Sequence, residues 1–124
     1  MGRSDGELTK KHIMPYASED RLSLAVNTST SGDNELIAAP GSGSFLAIDF
    51  LVLHPNGGSQ TLIVKSGSTE RFRLILDDNQ PFTFENTIHD PKGIITCADN
   101  AAFNLNLSAA TQVTGYAKYR IVGK

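Results

Sequence analysis

The stretch Gln60-Thr61-Leu62-Ile63-Val64-Lys65-Ser66-Gly67-Ser68-Thr69-Glu70-Arg71-Phe72-Arg73-Leu74-Ile75-Leu76 decides the fold. Its second half alternates cleanly, with Phe72, Leu74 and Leu76 on one face and Arg71 and Arg73 on the other. A period of two marks a half-buried strand, because successive side chains of a pleated chain point to opposite faces. Ser66-Gly67-Ser68 between the two runs reads as a tight turn, since glycine reaches backbone angles closed to other residues.

The same grammar extends upstream. Phe45 to His54 is apolar on both faces, with Phe45, Ala47, Leu51 and Leu53 opposing Leu46, Ile48, Phe50 and Val52. That pattern predicts a strand covered by the core on one side and by another element or subunit on the other. Pro55-Asn56-Gly57-Gly58 follows, and Asn-Gly is a strong hairpin signal, so the strand from Gln60 to Lys65 is expected to return beside it. Earlier, Leu22, Leu24 and Val26 alternate with Ser23 and Ala25. A loop is expected over Asn27 to Asn34, then a short segment from Glu35 to Ala39 that Pro40 ends. Gly41-Ser42-Gly43-Ser44 reads as a turn.

Downstream, Asp77-Asp78-Asn79 turns the chain into Pro81 to Glu85, where Phe82 and Phe84 share a face. Residues 86–93 read as a loop closed by Pro91 and Gly93, and Ile94 to Cys97 as a short strand. Phe103, Leu105 and Leu107 alternate with Asn104 and Asn106, and Thr111 to Val122 is long and rich in Val, Thr, Tyr and Ile. Ala98 to Ala102 and Ser108 to Ala110 lean toward helix but are shorter than a stable one. Eight or nine short strands at this spacing predict an all-β fold, an antiparallel β-sandwich. A jelly roll is the first choice, because two sheets closing over one core suit that number. An immunoglobulin-like topology is the alternative, although the tryptophan and cysteine pair of antibody domains are missing.

Residues 1–20 differ in kind: charge is dense (Arg3, Asp5, Glu7, Lys10, Lys11, Glu19, Asp20) and apolar residues are aperiodic. They are expected to form an extended N-terminal arm, flexible or docked on a partner, with residues 21–124 as the β-sandwich domain. A chain of 124 residues, 40% hydrophobic and 19% charged, has the size and composition to bury one core without metal or disulfide staples. The net charge of −2 gives no general attraction to nucleic acid or anionic lipid. Cys97 is the one cysteine, so no internal disulfide forms, which suits folding in a reducing cytoplasm. No signal peptide is expected from the N-terminal residues, and Phe45 to Leu53 is too short to span a bilayer.

The chemistry-bearing residues form no strong constellation. His12, His54 and His89 lie far apart and lack metal-ligand spacing. Asp77-Asp78-Asn79 resembles a calcium loop only in composition and reads as a self-capping turn. A nucleophilic site would require a serine to meet His89 and Asp90 or Asp99, and no Gly-x-Ser-x-Gly elbow supports one. Gly41 to Ser44 lacks the Lys-Ser/Thr ending of a phosphate loop. Cys97, in an apolar segment without a basic sequence neighbour, is expected to be a buried, inert thiol. Arg71, Arg73, Lys118 and Arg120 would make a basic stripe if their strands were neighbours. Tyr116 and Tyr119 fall on opposite faces of the last strand, so one is expected in the core and the other exposed, where it could serve as a sugar platform. No catalytic, cofactor-binding or metal-ligating residue is assigned, no cofactor is called for, and the chain is not expected to be an enzyme.

Thr61-Leu62-Ile63-Val64-Lys65-Ser66-Gly67, the strand Phe82-Thr83-Phe84, Asn104-Leu105-Asn106-Leu107-Ser108-Ala109-Ala110 and Val113-Thr114-Gly115-Tyr116 together resemble small virion proteins of tailed bacteriophages. The resemblance covers about residues 59–122. It implies a β-sandwich without catalytic residues, made in the host cytoplasm and built into the virion as a capsid decoration protein, head fibre or tail component. The implied partners are further copies of the chain, a homotrimer above all, and the major capsid or another virion protein, with no nucleic acid or membrane. The alternative class is a carbohydrate-binding module or receptor-binding tail-fibre component, favoured if Tyr116 or Tyr119 sits in a concave patch with polar side chains. A hydrolase would need His89 and a carboxylate to converge in a pocket.

Overall fold

A computed structural model describes residues 21–123. The expected arm, with His12 and Tyr16, lies outside the described residues. Among the described residues nine strands follow one another: β1 (Leu22–Thr28), β2 (Gly32–Ile37), β3 (Ser44–Asn56), β4 (Gln60–Ser66), β5 (Thr69–Leu76), β6 (Phe82–Glu85), β7 (Ile95–Thr96), β8 (Phe103–Leu107) and β9 (Gln112–Gly123). They form two antiparallel sheets. The first has the order β1-β9-β3-β6, with β7 also paired to β3; the second has the order β2-β8-β4-β5. The chain passes from one sheet to the other at nearly every connection, and the two strand orders are those of a jelly roll. The antiparallel sandwich predicted by the alternation is the fold the chain adopts.

Between the sheets lie Leu46, Ile48, Leu51 and Leu53 of β3, Leu62 and Val64 of β4, Phe103, Leu105 and Leu107 of β8, and Val113 and Ala117 of β9. Phe82 and Phe84 close one side edge-to-face at 4.7 Å, and Phe84 meets Phe72 at 4.9 Å. Burial of such side chains stabilises each by about 1.5–3 kcal/mol. Strands β3 and β9 pair along their whole length, from Gln112 opposite Asn56 to Gly123 opposite Ser44. At Gly115 a Cβ would lie 1.9 Å from the Val52 carbonyl oxygen, so the close approach of these strands admits only glycine there.

Three sequence expectations change. The hairpin at Asn56-Gly57 does not form: β3 and β4 belong to opposite sheets, and the turn carries the chain across the sandwich. Gly57 and Gly58 do take positive φ, but Asp78 Oδ1 accepts both of their N–H groups at 3.0 Å, which fixes a corner instead of a hairpin. The loop over Asn27 to Asn34 contracts to residues 29–31, because Asn34 Nδ2 donates to the carbonyls of Thr30 and Gly32 and its Oδ1 meets the Thr28 hydroxyl. Strand β2 therefore starts and ends earlier than expected. The third change concerns β3. Lys118 pairs with Phe50 and Tyr119 with Ile48, leaving Asp49 without an opposite number on β9. This bulge flips the alternation, so Leu46 and Ile48 face the core before it and Leu51 and Leu53 after it. The doubly apolar text of Phe45 to Leu53 is largely one face that changes parity.

Candidate functional site

The bulge at Asp49 organises the most elaborate polar cluster among the described residues. On its free edge β3 pairs with β6 up to Phe50 opposite Glu85, and Asn86 N then donates to Asp49 O at 2.8 Å. The chain leaves as the loop 87–93 and returns with Ile94 N donating to Ile48 O at 2.8 Å. Gly93 makes that return possible: φ is +79°, and a Cβ would lie 2.6 Å from the Ile48 carbonyl oxygen.

Beneath this loop Arg120, fully buried, grips the Asp49 carboxylate with two donors. Nε donates to Oδ2 at 2.7 Å and Nη2 to Oδ1 at 3.0 Å. Asn86 Nδ2 donates to Asp49 Oδ1 and to Asp90 O, both at 2.9 Å, while its own Oδ1 accepts Asp90 N at 2.9 Å. Arg21 adds an ion pair at 3.2 Å from Asp49 Oδ2. Burial pushes the Asp49 carboxyl up, but the hydrogen bonds from Arg120 and Asn86 and the charges of Arg120 and Arg21 outweigh it. The net result lies below the usual aspartate value. Such a satisfied network ties loop to sheet.

Above the network is a depression of about 280 Å³. Phe50 and Tyr116 line it, their rings edge-to-face with centroids 5.4 Å apart at 82°. Arg21 and Lys118 stand on one side; Glu85, Asn86 and His89 stand on the other. Tyr116 and Tyr119 take opposite faces, as expected: Tyr116 is 38% exposed and Tyr119 packs against the core. His89 does share this depression with the carboxylates of Asp49 and Glu85, but its described lining contains no serine or cysteine. Asp90 caps Lys92 N and Asp99 caps Gly43 N, each at or near 3 Å, so both carboxylates hold turns. A second hollow lies where Arg71 and Phe72 of β5 face Ile94 to Thr96.

The basic stripe does not exist. Arg71 and Arg73 lie in the second sheet and Lys118 and Arg120 in the first, Arg73 pairs with Glu70 at 2.8 Å, and Arg120 is inside. Cys97 is buried, and burial pushes its thiol up against the opposing influence of Ser66 and of Arg71, a basic neighbour in space that the sequence order hides. His54 lies half-buried in β3, remote in sequence from the loop that carries His89. Among the described residues no three His, Cys, Asp or Glu side chains are grouped to hold a metal ion. No family model matches the chain, and no curated protein matches it.

Proposed function

We propose that this protein is a bacteriophage virion structural protein, a capsid decoration protein that acts through contacts with its own copies and with the major capsid protein. The observation that carries the reading is where the phage-like motifs fall. Thr61 to Gly67 and Asn104 to Ser108 occupy the adjacent strands β4 and β8. They are laced together at both ends: Thr61 N donates to Ser108 Oγ at 2.9 Å and Asn104 Nδ2 to Gly67 O at 2.8 Å. Gly115, in the fourth stretch, Val113 to Tyr116, is the glycine on which the β3–β9 approach depends. Scattered short likenesses thus form one framework, which supports kinship of scaffold. The conspicuous carboxylates Asp33, Asp49 and Asp78 are all engaged in holding that scaffold, and a protein of this kind works through its surface.

The test is the solution mass of the full chain by light scattering over a wide dilution range. A trimer that persists on dilution is the expected result; a monomer at every concentration would overturn assembly through self-contact. A second reading, a carbohydrate-binding or receptor-binding component, is favoured by one observation: Tyr116 sits half-exposed in a concave patch among charged side chains.

A further inference from the structure

We infer that the depression over Phe50 and Tyr116 is a binding site for a single acidic sugar residue, a pyranose carrying a carboxylate. This inference rests on the carbohydrate reading above. Its first support is the cross-strand register. Lys118, Phe50 and Glu85 lie directly opposite one another on β9, β3 and β6. The row therefore places a cation and an anion on either side of an aromatic floor, about two strand spacings, or roughly 10 Å, apart at the backbone. Tyr116 and Val52 form the next row on the same face.

The floor is held still. The edge-to-face contact of Phe50 with Tyr116 braces the two rings against each other, and Tyr116 remains 38% exposed at the depression. A pyranose presents an apolar C–H face to such a ring while its hydroxyls stay at the rim, the amphipathic match that places aromatic platforms in wet sites. Size agrees as well: about 280 Å³ is just below the range for drug-sized ligands, which suits one sugar residue in a longer glycan.

Charge selects the acid. Lys118 and Arg21 stand at the β9 side. The Asp49 carboxylate beneath them is paired with both Arg120 and Arg21, so its charge is compensated and Lys118 is left to meet an incoming anion. Glu85 at the opposite side accepts from hydroxyls and disfavours a second acid group. The sugar carboxylate therefore lies toward Lys118, with the hydroxyl edge toward Glu85.

The experiment is a two-dimensional amide NMR titration of the full chain with D-glucuronate, methyl glucoside and acetate in parallel. Glucuronate should shift the amides of Phe50, Glu85, Tyr116 and Lys118, with methyl glucoside about tenfold weaker for want of the charged contact. Tyr116→Ala should abolish both responses, and Lys118→Met should remove the preference for glucuronate while leaving an unchanged thermal melt. Equal binding of the two sugars would overturn the acid selectivity and leave the carbohydrate reading standing. Acetate shifting the same amides as strongly as glucuronate would overturn the sugar site in favour of a simple anion site. No shift at these amides with either sugar would overturn both, and the oligomer measurement would be unaffected.

Discussion

Asp49 shows how one residue can fix both backbone and charge. It is the extra residue of the β3 bulge, and its carboxylate accepts from Arg120 and Asn86 and forms an ion pair with Arg21. A buried pair gains little over an apolar replacement, because desolvation offsets most of the attraction, but breaking one half leaves an uncompensated charge. Asp49→Asn should therefore destabilise the protein by about 3–5 kcal/mol at neutral pH, measured by urea unfolding. The difference should depend on pH in a defined direction. The folded carboxyl titrates below its unfolded value of about 3.9, so the stability it confers is complete above that value. It is lost as pH falls through the folded pKa. The gap between wild type and Asp49→Asn should thus be constant from neutrality to about pH 5 and close below about pH 4. A gap that widened on acidification would mean that Asp49 is not held ionised by Arg120.

At the scale of elements, the corner between β3 and β4 is held from a distant turn. Asp78 Oδ1 accepts from Gly57 and Gly58, Asn79 N donates to Pro55 O at 3.1 Å, and Asp78 N donates to Ser59 Oγ at 3.2 Å. Asp78→Ala removes two acceptances at an exposed site, so a loss of about 1 kcal/mol is expected. Hydrogen exchange should accelerate at Gly57 and Gly58 and leave Leu62 and Leu105 in the core unchanged; uniform acceleration would count against a local clamp. This corner also shows what the sequence conveys and what it hides. Alternation makes β5 and β8 readable, and among the described residues Gly67-Ser68 is the one tight turn whose flanking strands pair as a hairpin. Asn56-Gly57 has the same local chemistry, yet its strands part, because sheet membership is set by which apolar faces meet and not by the turn. The Asp49 bulge is hidden for a related reason: one apolar run reads the same whether both faces are covered or one face changes parity. Of the candidate site, counting along β9 puts Tyr116 and Tyr119 on opposite faces but does not say which of the two is exposed. Arg120 carries no mark of burial, since its partner lies in another strand and its cover in a loop.

The whole molecule is closed by its last strand. β9 is central in the first sheet, paired to β1 on one side and β3 on the other, so Leu22 near the start meets Tyr119 near the end. The hairpin of β4 and β5 is the most local pairing, and β8 must arrive to extend it. Without β9, strands β1 and β3 have no common partner, and Val113 and Ala117 are gone from the layer that covers the second sheet. A layer split at its centre leaves part of the opposing apolar face in water, and both layers are needed to bury the core. A chain ending at Ala110 should therefore lack dispersed amide resonances although it retains eight of the nine described strands, and a dispersed spectrum would refute the dependence on β9. The same topology sets the speed. Loop-closure entropy must be met before the β1–β9 and β3–β9 pairings return any stabilisation, and domains dominated by such pairings fold in roughly milliseconds to seconds. Stopped-flow refolding of the full chain should fall in that window, and a microsecond phase carrying the full amplitude would mean that the native sheets are not assembled by their distant pairings.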